Sequence, residues 1–104
     1  MDKVFVVTWA SASQDEDGNS NAFGNVHGVY LTRASALKGL EERKNEIYDE
    51  IVNAPDYDEE DRRLAEVNTS VYGSQAEGYY EIDYELADTF AEIYITIVEQ
   101  EVQA

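Results

Sequence analysis

Carboxylates dominate the chemistry this chain can carry: its 104 residues hold 23 Asp plus Glu against 7 Lys plus Arg, a formal charge of −16. Three groups of acids have an ordered spacing. Glu81, Asp83 and Glu85 recur at every second residue, which on a strand sets them along one face about 6.6–6.8 Å apart. Asp56, Asp58, Glu59, Glu60 and Asp61 are five acids within six residues. Glu42, Glu46, Asp49 and Glu50 fall on one side of a helix by their three- and four-residue steps. Surfaces normally mix charge signs, because an excess of one sign repels itself and weakens the compact state. These rows therefore read as a surface made to meet positive charge. Duplex DNA carries one charge per roughly 3.4 Å on each strand, so a single strand row is about half as dense, and the rows must adjoin to approach a phosphate array.

Other chemistry is poorly provided for. There is no Cys, hence no thiolate nucleophile, disulfide or cysteine zinc site, and His27 is the only imidazole. No nucleophile elbow, phosphate-cradling glycine loop or His-containing metal motif occurs. Pairs of carboxylates near one another are inevitable with so many acids, so they do not signal acid–base catalysis. No enzymatic activity, cofactor or metal is expected, and His27, on a strand edge beside Gly28, reads as a structural histidine. Asp15, Asp17 and Asn19 occupy the first alternate ligand positions of a calcium loop. Ser20 then stands where the sharp turn needs Gly, and Val26 where a bidentate Glu should close the site. A hairpin loop is the expectation there, with a calcium-responsive domain as the third-ranked reading of the chain.

The elements that must position these groups follow from periodicity. Lys3 to Ala10 is β-branched and aromatic on both parities, predicting a central strand with both faces at least partly covered. Ser11 to Asn21 reads as a polar loop containing the Asp17-Gly18 turn pair, and Val26 to Leu31 as a second strand. Thr32 caps a helix from about Arg33 to Asn53, with Leu37, Leu40, Ile47 and Ile51 on its buried stripe and the stem of Lys44 between them. Glu42 with Lys38 is an expected ion pair on this helix. Ala54-Pro55 ends it. Asp58 caps a short second helix through Leu64 and Val67. Asn68 to Gly78 reads as loop. Tyr80, Ile82, Tyr84 and Leu86 alternate with the acids from Glu81, predicting a half-buried strand, and Glu92 to Val98 returns with Ile93, Ile95 and Ile97 on one face. The expected fold is a single α+β domain over residues 1–104. It has a small antiparallel sheet of about four strands in the order ββα(α)ββ, and one long helix packed on one face. The content of 10 Val, 6 Ile, 5 Leu and 3 Phe, with eight Tyr, supports a core and excludes a disordered acidic tail.

Every basic residue lies at or before Arg63, and residues 64–104 hold nine acids. Such a chain is repelled by nucleic acid and anionic lipid, so direct nucleic-acid and membrane binding are not expected. Without a signal-like apolar stretch it reads as cytoplasmic. Tyr57, Tyr72 and Tyr79 lie close to acids and offer contact anchors. One local pattern adds a resemblance: Lys3-Val4-Phe5-Val6-Val7-Thr8, a Gly-containing loop, then Gly28-Val29-Tyr30-Leu31-Thr32 leading into a helix with Ala34 and Ala36. It is similar to the opening of several small phage proteins and, more distantly, of plasmid antirestriction mimics. Together with its charge, the chain resembles the small acidic inhibitors of phages and mobile elements, the anti-CRISPR and antirestriction DNA-mimic class. The likeness covers residues 3–40, and members of the class share charge more than sequence, so no binding residue or target carries over. It implies docking on the basic DNA- or guide-binding surface of a nuclease or CRISPR effector. The alternative is an acidic adaptor for a basic partner unrelated to nucleic acid. A homodimer paired through the terminal strand is a further expectation.

Overall fold

A computed structural model of the chain describes residues 2–15, 17–86 and 89–102. Its elements are β1 (Lys3–Gln14), β2 (Ser20–Tyr30), α1 (Arg33–Val52), α2 (Glu59–Val67), β3 (Thr69–Ser74), β4 (Tyr79–Leu86) and β5 (Thr89–Glu101). The strands form one antiparallel sheet in the order β2-β1-β5-β4-β3. The α+β class and the short second helix stand as expected, with one correction: five strands replace about four.

The extra strand is β3. Thr69–Ser74 was expected as loop because Ser, Gly and two lone apolar residues give no alternation. It forms nonetheless by pairing with β4 from Thr69↔Tyr84 to Ser74↔Tyr79, since otherwise the backbone donors and acceptors along that side of β4 would have no ladder. The first hairpin is also longer than expected. Ser11 to Gln14 pairs with Phe23 to Ser20, because small polar side chains do not prevent a ladder already nucleated by the β-branched run. The turn between them is self-contained. Asp15 Oδ1 accepts from the backbone N–H groups of Asp17 at 3.0 Å and Asn19 at 2.9 Å, and Gly18 takes φ +83°.

Thr32 caps α1 as expected, accepting from the Ser35 N–H at 3.1 Å. Asn53 closes the helix with its N–H on the Asp49 carbonyl at 2.8 Å. The buried stripe runs through Ala36, Gly39, Leu40, Ile47 and Val52, while Leu37 and Ile51 are only half-buried. Gly39 explains the difference. A Cβ there would collide with the Tyr30 ring, so Tyr30 lies directly against the helix backbone and draws this side of α1 onto β2. Beneath it, Val7, Leu40, Tyr80, Ile82, Ile93 and Ile95 form the core, each fully buried aliphatic side chain contributing about 1.5–3 kcal/mol. The ion pairs on α1 are Arg43–Glu46 and Lys44–Glu41, both at 2.9 Å, and the expected Lys38–Glu42 pair is not among them.

Asp58 caps α2 by accepting from the Asp61 N–H at 2.8 Å. Leu64 and Val67 of this helix are exposed, and Ala65 is its buried residue. Just past the helix the Thr69 hydroxyl donates back to the Ala65 carbonyl at 2.6 Å. β5 lies between β1 and β4 and pairs with both, so a dimer cannot form by pairing of that terminal strand. The sheet edges are β2 and β3. Among the described residues, no helix is long and apolar enough to cross a membrane.

Candidate functional site

The helices cover one face of the sheet, and the acids of β4 lie on the other. Tyr80 and Ile82 turn into the core with Leu40 and Ile47 of α1, so strand alternation turns Glu81, Asp83 and Glu85 to the uncovered face. Register then fixes their neighbours. Glu81 stands between Tyr72 on β3 and Tyr94 on β5, Asp83 between Ser70 and Glu92, and Glu85 opposite Phe90.

Hydrogen bonds hold this group together. The Tyr79 hydroxyl donates to Glu81 Oε1 at 2.9 Å, and the Tyr94 hydroxyl donates to Glu92. Tyr94 is pushed up to about 12, first by that bond and then by burial; Tyr79 is raised by burial and by its bond to Glu81. Both phenols therefore stay protonated and serve as fixed donors. Asp83 is the anomaly. Its Oδ1 is buried with no hydrogen-bond partner. Burial, then hydrogen bonding with Glu81 and the negative charges of Glu81 and Glu92, push its carboxyl up to about 6. Three carboxylates thus share a small area with no cation among them. By pairing register and alternation, no Lys or Arg lies on the open face of β1, β4 or β5 among the described residues. An incoming guanidinium or ammonium would relieve the unpaired oxygen and the mutual repulsion together.

The other two predicted rows lie elsewhere. Glu42, Glu46, Asp49 and Glu50 are on α1, in the helical layer. Within that row Glu46 is paired with Arg43, and Asp49 accepts from the Asn53 side chain at 2.6 Å. Asp56 precedes α2, Asp58 is used as its cap, and Glu59, Glu60 and Asp61 occupy its first turn at the positive end of the helix. The structure therefore separates the β4 row from the α1 and α2 rows by the thickness of the sheet and does not join them into one array. Of the proposed anchors, Tyr72 and Tyr79 accompany the β4 row. Tyr57 instead lines a cleft of about 370 Å³ on the helical side, with Trp9, Arg43 and Glu50.

Glu92 and Tyr94 were missed by sequence reasoning. They alternate with Ile93, Ile95 and Ile97, so the signal was present, and only the hairpin register set them beside Asp83 and Glu81. The Asp15 loop binds itself: both carboxylate oxygens accept hydrogen bonds from Asp17 and Asn19, the Asn19 backbone N–H being the first cause that lowers its pKa. The chain matches no protein-family model, no curated protein and no solved structure.

Proposed function

We propose that the protein is an acidic inhibitor that occupies the basic nucleic-acid-binding surface of a nuclease or CRISPR effector in the cytoplasm, without chemistry of its own. The observation that carries this reading is the β4–β5 patch: Glu81, Asp83 and Glu92 clustered on a base-free face, with one buried Asp83 oxygen unpartnered. Such a cluster weakens the free protein and is relieved by a cationic partner, so its energetic logic is that of an interface. Shape supports the nucleic-acid comparison. The body measures 51 × 28 × 22 Å, and −16 over that length is one net charge per about 3.2 Å, close to the roughly 3.4 Å per charge of one DNA strand. Carboxylates on both faces present negative charge to either wall of a groove.

A second reading is favoured by the tyrosines. Tyr72, Tyr79 and Tyr94 interleave the acids, and aromatic side chains among charges also characterise ordinary protein interfaces, so the partner is then a basic protein unrelated to nucleic acid. A tagged pulldown from bacterial lysate at low and high salt, followed by competing duplex DNA, separates the two. A nuclease or CRISPR component released by DNA supports the inhibitor; a partner that survives both salt and DNA replaces it with the adaptor.

A further inference from the structure

The fold brings the only imidazole of the chain to two carboxylates that the sequence assigns to an unrelated acidic row. Between Val7 and Thr8 the β1–β2 register shifts: Val7 pairs with Gly28 and Thr8 with Val26, leaving His27 as the extra residue of a β-bulge. Bulges re-aim side chains. Here a ring nitrogen of His27 and one carboxylate oxygen each from Glu42 and Glu46 all lie within 4.8 Å of one another. Glu42 and Glu46 are one turn apart on α1 and so present their carboxylates together.

The geometry points to a divalent transition-metal site formed by His27, Glu42 and Glu46, with Zn²⁺ as the ion to which it is best suited. Bonds of about 2.0–2.2 Å to nitrogen and oxygen put tetrahedral ligands roughly 3.3 Å apart, a contraction from the present spread that the Glu side-chain rotamers supply. An imidazole with two carboxylates selects zinc-like ions over Ca²⁺ and Mg²⁺, which prefer all-oxygen shells. Three protein ligands leave a fourth position for water or a partner's side chain. Glu46 is already oriented: Arg43, itself 5.0 Å from the centroid of the Trp9 ring, donates to Glu46 Oε2 at 2.9 Å and leaves Oε1 for the metal. Glu42 is in none of the ion pairs of the described residues. A bound ion would clamp β2, an edge strand, to α1. This inference is independent of the proposed inhibition, because these residues lie between β2 and α1, away from the β4–β5 patch.

Thermal unfolding of the chelator-stripped chain with added Zn²⁺, Mg²⁺ or Ca²⁺ tests it. Zn²⁺ at a hundredfold above its Kd should raise Tm by roughly 10 °C, with Mg²⁺ and Ca²⁺ giving no comparable rise. His27→Gln should abolish the Zn²⁺ effect, and so should Glu42→Gln, an exposed position whose change leaves the fold intact. Co²⁺ should give visible absorption bands that both variants lose. The site is overturned if Zn²⁺ leaves Tm unchanged, if its effect persists in both variants, or if Mg²⁺ and Ca²⁺ match it, since any of these reduces the cluster to surface charge.

Discussion

The uncovered face of the sheet has two halves of opposite chemistry. Toward β2 it presents Val6, Thr8, Ala10 and Ala12 beside Ala22, Gly24 and Val26; toward β4 it presents Glu81, Asp83, Glu85 and Glu92. β2 is a sheet edge and contains no Asp, Glu, Lys or Arg, whereas β4 is flanked on both sides and has three acids in eight residues. Acidity that served solubility alone would show the reverse pattern, because charge on an edge strand discourages edge-to-edge pairing and stays solvated. Charge sits instead where neighbouring charge and burial oppose it. This contrast is what the proposed partner-binding role of the β4 row rests on.

Four experiments break or sharpen this comparison. Ile82 lies under the acidic half and is fully buried. Ile82→Ala should cost about 2–5 kcal/mol by denaturant unfolding, and partner binding should fall with the folded population. Binding that persists in the unfolded chain would show that charge alone is enough. Replacing Glu81, Asp83 and Glu85 by Gln, Asn and Gln should weaken capture of the basic partner by roughly 10- to 100-fold with folding intact. The same charge change at Glu59, Glu60 and Asp61 serves as the control and should have the smaller effect. Equal effects would mean that net charge, and not the β4 half, is recognised.

A third test uses pH. Asp83 has a folded pKa of about 6 against an ordinary 3.8, so the fold favours its neutral form. That contribution is complete below pH 3.8 and is lost as pH rises through about 6. Glu41, lowered chiefly by the Tyr80 hydroxyl, and Asp15 act in the opposite sense: they stabilise above their ordinary values of 4.5 and 3.8 and lose that contribution below them. Between pH 7 and pH 5 Asp83 is therefore the group that responds. Acidification over that window should stabilise the protein by on the order of 1 kcal/mol once solvent screening is allowed for, and Asp83→Asn should flatten the profile. The smallest effect is expected on the bare half. Val26→Lys, at a position 52% exposed, should change stability by less than about 0.5 kcal/mol and leave partner capture unaltered.

Much of the architecture was legible because it rests on local periodicity. Val4 to Trp9, the alternation from Tyr80 to Leu86, and the caps Thr32 and Asp58 each state their element without reference to distant residues. β3 was not legible, since Thr69–Ser74 is a strand only because β4 lies beside it. The seating of the short α2 has no local signal either: its larger apolar residues Leu64 and Val67 are exposed, and Ala65 is the buried one. For the site, the sequence contains the β4 row but not its partners. Glu92, Tyr94 and the gathering of His27 with Glu42 and Glu46 depend on strand register and on a bulge, neither of which leaves a local signal.

The central position of β5 has a consequence for how the protein is made. β1 leaves the ribosome well before β5, yet its ladder to β5 runs from Lys3↔Glu101 to Gln14↔Phe90, so it must wait while both helices, β3 and β4 are synthesised. Until then the first hairpin stands as two strands without the third that stability needs, with only α1 to cover Val7 and Trp9. Such non-local closure is slow and leaves a nascent chain open to proteases and to chaperone capture. Self-repulsion among its many carboxylates then keeps unfinished copies apart during the interval in which they are most prone to stick together.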